Sequence, residues 1–462
     1  MDHAANISLT MVSLALTDIR TSENMFSLHH TEIKKSPLSQ EREHYLDTIV
    51  VPSDPHTRFT KRRPVVPGIQ ILLVIAGLCS PYAAPAVRAE APAATTTAAP
   101  ETPVDAAFTV PPYLQDLRAD RVTVMWWSAG GTYGWVEYGE TKAMGKRADT
   151  VIDGMREVTV SRHAVRLSGL TPATRYLYRL GMRSIISYKK NSVRWTEDIY
   201  SPVYSFTTPS SRDTQVRCAI FNDTHNDTDI APLLSLPGVK PVDFSLFNGD
   251  SFADIRSGPE ALARLRSYTT AVDGASRPAV FVRGNQDLRF AYSTNLRSLF
   301  TYPEDRCTFA FTRGPVRFVV LDCGEDKQDA DPSYGGMVDF SLFRAEVRNW
   351  LAREIASDAF RQVRWHVLIH HIPLYGPSGS KYSQPYYLPV LANAVFDLAI
   401  NGYTHQATVL NRGTWRNPYP VVIGGGPGPA ATVTVFEANA IGWNVTVLDR
   451  TGKVLIKGRG GI

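Results

Sequence analysis

The sequence predicts two domains in series, an all-β sandwich over residues 108–210 and an α/β (α+β) sandwich over residues 213–462. Three observations lead there. In the first region apolar and polar residues alternate between turn residues, which is the period of half-buried strands. In the second, near-continuous apolar runs alternate with loops and helical repeats, the pattern of a sheet covered on both faces. Polar side chains then gather just beyond the carboxyl ends of those runs, where open α/β sheets hold their ligands.

Ahead of both domains the chain reads as processing sequence. Lys61-Arg62-Arg63 precedes the apolar run "IQILLVIAGLC", and the small-residue stretch "PYAAPAVRAEA" follows it. A basic segment, an apolar core and small residues at a cut site make a signal peptide, here residues 61–89 with Val87-Arg88-Ala89 at the cut. The run is shorter than the roughly 20 apolar residues that a membrane span needs. The mature protein is therefore expected in the periplasm or outside the cell, with no stable membrane insertion. Residues 1–60 are unassigned, either disordered or an over-extended start, and residues 90–107, rich in Ala, Pro and Thr, read as a linker. A hydrophobic content of 44% with 20% charged residues belongs to a folded chain. The net charge of +5 comes without a dense basic run, which excludes nucleic acid as the partner. Of the 4 cysteines, Cys79 falls in the signal; Cys218, Cys307 and Cys323 are odd in number and widely spaced, which is no disulfide framework.

In the first domain the strands are "RVTVMWW" (121–127), "GWVEYG" (134–139) and "HAVRLSGL" (163–170). The spacing Leu170-x-Pro172-x-Thr174-x-Tyr176 resembles the tyrosine corner of fibronectin-type and immunoglobulin-like sandwiches. The domain should end near 204–210, with its Trp and Tyr residues in the core. In the second domain strands are expected at 216–222, 243–248, 279–283, 317–322, 365–370 and 395–401. Phe343, Val347, Trp350, Leu351 and Ile355 recur at helical spacing within 339–355, and Ser257 with Pro259 opens another helix that carries Leu262 and Leu265 inward. The last strands, "ATVTVFEA", "WNVTVLD" and "KVLIKG", read as antiparallel.

Five of the strand ends carry polar residues: Asp223-Thr224-His225, Gly249-Asp250, Gly284-Asn285, His370-His371-Ile372-Pro373 and Gly402-Tyr403-Thr404-His405. One such end is usually structural. Five, with only carboxylate, amide and imidazole groups, point to a metal centre, and hard oxygen ligands mixed with imidazole suit Fe, Mn or Zn. A shared carboxylate can hold two ions about 3.5–4 Å apart, the spacing used for displacement at phosphorus.

The ordered set D-x-H, GD, GN, H-x-P, G-x-x-H resembles the calcineurin-like metallophosphoesterase family, and the sandwich with "PPYLQ" at its start resembles the N-terminal domain of purple acid phosphatases and their bacterial relatives. The resemblance implies that Asp223, His225 and His405 hold one metal, that Asp250 bridges two, and that Asn285 and His371 serve the second. His371 is preferred to His370 as the residue ahead of x-Pro, and His370 then supports it. The implied reaction is attack of a metal-bound hydroxide on a small phosphate ester. Two positions depart from the family pattern, Gln286 standing where GNH[D/E] has its histidine and Tyr403 where GHxH has its first. Gln286 and Asp287 become the candidate catalytic pair, Tyr403 a metal or pocket residue, and Arg283 and Arg289 candidate phosphate contacts. Phe252 stands near the place of the tyrosine that ligates iron in purple acid phosphatases. The expectation is one tightly and one weakly held ion, and either a slowed phosphoesterase or a protein that only binds phosphate or glycan. The loop 325–336 is where substrate selection would lie.

Overall fold

The computed structural model describes residues 104–239 and 241–461. The expected signal, the residues before it and most of the linker lie outside them. The linker's last four residues, Val104–Ala107, form a helical turn whose Ala107 packs into the sandwich core. Among the described residues no helix is long and apolar enough to cross a membrane.

The first domain is an antiparallel sandwich. The two strands expected over 121–139 are one 19-residue strand, Arg121–Gly139, paired first with Phe108–Gln115 and Val160–Ser168 and then with Arg175–Arg183. Its register shifts after Trp127, where exposed residues separate two buried runs, so a bulge passes one strand between two sheets. Trp126, Val136, Tyr176 and Phe206 fill the core. The tyrosine corner is present: the Tyr176 hydroxyl accepts from the Thr171 amide at 2.9 Å.

His163 is buried there, stacked on Trp126 with 4.6 Å between ring centroids and 2.9 Å from Thr132 Oγ1. Burial, helped by the Arg162 charge, lowers its pKa from 6.5 to about 4. The folded state thus resists protonation that the unfolded chain accepts. Stability is full above pH 6.5 and falls as the pH drops towards 4, by on the order of 3 kcal/mol. Urea melts of wild type and His163→Gln at pH 7 and pH 4.5 should show the wild type losing more of its midpoint on acidification. Equal losses would remove His163 from the acid response.

The second domain has two six-stranded sheets face to face. One runs, in spatial order, Ala279–Val282, Phe244–Asn248, Gln215–Phe221, Thr432–Asn439, Gly442–Asp449, Val454–Gly461; the other runs Phe309–Arg313, Val316–Val320, Trp365–Ile369, Leu398–Asn401, Val421–Ile423, Thr408–Leu410. Strands 215–221, 244–248 and 279–282 are parallel, as are 316–320, 365–369, 398–401 and 421–423. Phe318, Val367, Leu246, Ile220 and Phe436 meet between the sheets, which is why these runs are apolar on both faces.

Helix Gly258–Ala271 covers one outer face and helix Phe340–Ile355 the other. Ser257 and Asp339 cap them, their side chains accepting from the Glu260 and Leu342 amides. Leu265 is fully buried and Leu262 partly so. The first domain rests on the helix 258–271 and the strand 279–282. Val110, Tyr113, Met125 and Trp127 join Leu265 and Tyr268 in one core, and the Gln115 amide donates to the Ala279 carbonyl at 2.5 Å. That strand leads directly into Gly284-Asn285, so the docked domain braces a loop that carries candidate ligands.

Candidate metal centre

The parallel strands of both sheets end at the same edge, and their following loops meet there. Asp223, His225 and His405 form one group with ligand atoms within 4.8 Å of one another; Asp223, Asp250 and His371 form a second. His225 Nε2 and His405 Nε2 are 3.0 Å apart, and Asp223 Oδ1 is 3.3 Å from His405 Nε2 and 3.6 Å from His371 Nε2. Asp250 Oδ2 is 3.2 Å from His371 Nε2. The carboxylate common to both groups is thus Asp223, whereas the family pattern gives the bridge to Asp250. The second group is wholly buried; the first opens to solvent at His405.

Left-handed backbone turns these side chains together. Asp223, His225, Asp250, Tyr403 and His405 all have φ between +48° and +76°. Each such residue costs on the order of 1–2 kcal/mol, which the surrounding fold must offset. It does so by tying the loops to each other: the Asp223 amide donates to the Gly249 carbonyl and the His225 amide to the Asp250 carbonyl at 2.7 Å. The Tyr268 hydroxyl, from the helix beneath, stands 3.1 Å from the carbonyls of both His225 and Ser251. Glycine is required at 284 and 402, where a Cβ would come within 2.3 Å of Asp250 Oδ1 and 2.4 Å of Asp223 Oδ2.

The donor set fits metal ions. Asp223 Oδ1, Asn285 Oδ1 and His371 Nε2 are buried; among the described residues Asn285 Oδ1 has no hydrogen-bond partner, and the other two face only candidate ligands, namely His405, Asp250 and each other. Buried polar atoms are rarely left so unless a ligand completes them. His371 Nδ1 lies 2.8 Å from the Asn248 carbonyl, which fixes the proton there and leaves Nε2 as the free donor atom. Burial alone would lower the His371 pKa, but Asp250 and Asp223 outweigh it and raise it to about 10. Burial pulls the other way on Asp250, and the His371 charge holds that carboxyl below its usual range. Burial lowers His225, while the hydrogen bond to Asp223 raises His405.

His370 faces away from the site. Its Nδ1 is 2.8 Å from the Ile372 carbonyl, and burial lowers its pKa to about 4. Tyr403 lines the pocket with its hydroxyl on Asp326 Oδ2 at 3.1 Å, and burial with the Asp326 charge raises its pKa to about 12. Phe252 is buried against Tyr268, Phe281 and Phe300 and offers no ligand atom.

Two expectations are corrected. Asp287 does not face the pocket: its carboxylate accepts from the amides of Asp250, Phe252 and Gly284 at 2.7–2.9 Å and clamps two ligand loops together. Burial and the Asp250 charge push its pKa up to about 7. The arginines are not free phosphate contacts either. Arg283 is paired with the buried Asp322 at 2.7 Å. Arg289 is gripped by Glu325 at 2.7 Å and Asp326 at 3.2 Å, and its Nη1 donates to Gln286 Oε1 at 3.2 Å. The loop 325–336 therefore enters the site as the part that holds Arg289.

Sequence reasoning passed over three asparagines. Asn222, Asn248 and Asn401, each at a strand end ahead of a candidate ligand, are 0–2% exposed beneath the site. Asn248 Nδ2 donates to Asn222 Oδ1 at 2.9 Å and Asn401 Nδ2 to the His370 carbonyl at 2.7 Å, with Ile400's carbonyl 3.3 Å from Asn248. They join the ends of the two sheets. The signal was an asparagine in each of "FNDTH", "FNGD" and "INGYTH".

Residues 110–208 match the model of the purple acid phosphatase N-terminal domain, and residues 216–407 that of the calcineurin-like phosphoesterases. Among solved structures, purple acid phosphatase PPD1 from yellow lupin (Lupinus luteus) seeds is similar at 15% identity and a TM-score of 0.56, over 76% of this chain and 74% of that one. PhoD is similar at 12% identity and a TM-score of 0.52, over 76% of this chain and 92% of that one. These likenesses establish the fold. No curated protein matches the chain.

Proposed function

From a chain whose residues 216–407 belong to the calcineurin-like phosphoesterases, behind a purple acid phosphatase N-terminal domain, we propose a hydrolase of small phosphate esters, acting outside the cytoplasm, with one metal ion held tightly and a second weakly. The observation that carries this is the meeting of Asp223, His225, Asp250, His371 and His405 at one sheet edge, with the buried Asn285 Oδ1 beside them lacking a hydrogen-bond partner among the described residues. Metal ions bound there, Fe, Mn or Zn by the chemistry of the donors, supply a water of lowered pKa and positive charge for the phosphoryl oxygens.

The chain's own residues set the rest. Asp223, His225 and His405 would hold the first ion and Asn285 and His371 the second, with Asp250 shared between the two. At the second site the Tyr403 phenol does not stand in for the histidine of the family pattern, because it is engaged by Asp326 and resists ionisation. Gln286 is fixed at both ends, its backbone amide on Asp250 Oδ1 at 2.7 Å and its side-chain oxygen on Arg289. With the oxygen so engaged, the amide nitrogen is the end left to donate a hydrogen bond to phosphate. It has no proton to give a leaving group, which forgoes about 10²–10⁴-fold of acid catalysis.

The wild type should accordingly hydrolyse an aryl phosphate far better than an alkyl phosphate, whose strongly basic leaving oxygen needs protonation. Gln286→His should chiefly raise turnover of the alkyl ester. Tyr403→His should chiefly tighten the second metal equivalent, and the double variant should exceed the product of the two gains. Steady-state kinetics with both esters and metal titration read these out. If wild type and all three variants are inert with excess Mn, Zn or Fe, the hydrolase reading fails, and a protein that binds phosphate or glycan takes its place.

A further inference from the structure

A cleft of about 700 Å³ lies at the open edge of the sandwich, and none of the metal-site residues lines it. Its walls are the edge strands of the two sheets, Ala279–Val282 and Phe309–Arg313, and the first domain closes it with its turn at residues 115–120 and with 209–213. Val280, Tyr302 and Phe311, all only partly buried, give it an apolar surface. That size and make-up belong to small-molecule sites.

Arg313 decides what such a molecule carries. It is 9% exposed, its Nη2 donates to the Leu117 carbonyl at 3.3 Å, and its Nε has no hydrogen-bond partner among the described residues. It forms no ion pair among them. Asp213 accepts from the Ser210 amide and Asp243 from the Arg217 amide; both lie farther from Arg313 than an ion-pair contact. Burial pulls the Arg313 guanidinium below its ordinary pKa, although the more distant Asp243 and Asp213 charges act against it. The other buried or half-buried cations of the cleft are committed, Arg118 to Asp116 at 2.7 Å and Arg317 to Glu354 at 2.8 Å. A buried charge without a partner is costly, so one uncommitted buried cation beside an apolar wall calls for a single negative charge on an apolar body. A planar, forked guanidinium matches a carboxylate in both geometry and charge.

We propose that this cleft binds a small amphipathic carboxylate, its carboxyl group on Arg313 and its aryl or branched alkyl body against Val280, Tyr302 and Phe311.

Calorimetric titration of the full chain with 4-phenylbutyrate tests it. The expected result is saturable binding at one equivalent, with no binding of the uncharged 4-phenylbutyramide. Arg313→Met should weaken binding about tenfold to a hundredfold, the worth of a charge-assisted hydrogen-bonded pair, and Arg313→Lys should weaken it less. Ala359→Trp, at an exposed rim position of the cleft, should also weaken binding while leaving Arg313 in place. A thermal melt establishes that each variant is folded. Absence of saturable binding into the millimolar range, equal binding of acid and amide, or undiminished binding by folded Arg313→Met would each overturn the proposal.

Discussion

Asp250→Ala is expected to strip the chain of both metal equivalents and to lower phosphoesterase turnover well beyond the roughly 10–100-fold that loss of a group supporting a metal ligand costs. Asp250 faces His371 at 3.2 Å within the wholly buried group, and its other oxygen fixes the Gln286 amide at 2.7 Å. Its removal therefore takes a ligand, the counter-charge of His371 and the anchor of Gln286 at once. His405→Ala, which touches only the solvent-open group, should cost one equivalent. Elemental analysis of the two purified variants separates the cases. Were Asp250→Ala to keep one tight equivalent, Asp223, the carboxylate that both groups share in the structure, would be the bridge instead.

Asp287→Ala should produce the largest loss of stability in the phosphoesterase domain. Three buried amides, of Asp250, Phe252 and Gly284, lose their acceptor, and each unsatisfied group costs about 1–3 kcal/mol. A loss of about 3 kcal/mol or more is expected by urea denaturation. Metal affinity should fall with it, since the loops bearing Asp250 and Asn285 are no longer held together. A change below about 1 kcal/mol with intact metal binding would show that other contacts hold these loops.

Both predictions concern residues that the sequence displays, yet it displays them unequally. The candidate ligands are legible because a metal site demands carboxylate, amide and imidazole groups, and strand ends are marked by where apolar runs stop. Asp287 stands beside Gln286 in the same motif and shares its polarity, so nothing local says that one faces the pocket and the other the backbone. His370 and His371 pose the same difficulty in adjacent positions. Side-chain direction there follows from partners far away in sequence: the Asn248 carbonyl for His371, the Asn401 amide for His370.

The sequence by itself determined the order of the two domains, the all-β and α/β character of each, the tyrosine corner and the ligand-bearing strand ends, because periodicity and turn chemistry are local. Only the tertiary structure decided that Asp223 stands between both candidate ligand groups, that Arg289 is spent on Glu325 and on orienting Gln286, that three asparagines tie the sheets together beneath the site, and that Arg313 has no ion-pair partner among the described residues in its cleft. Each of these is a relation between residues on different strands or different domains, fixed by long-range packing that no local pattern encodes.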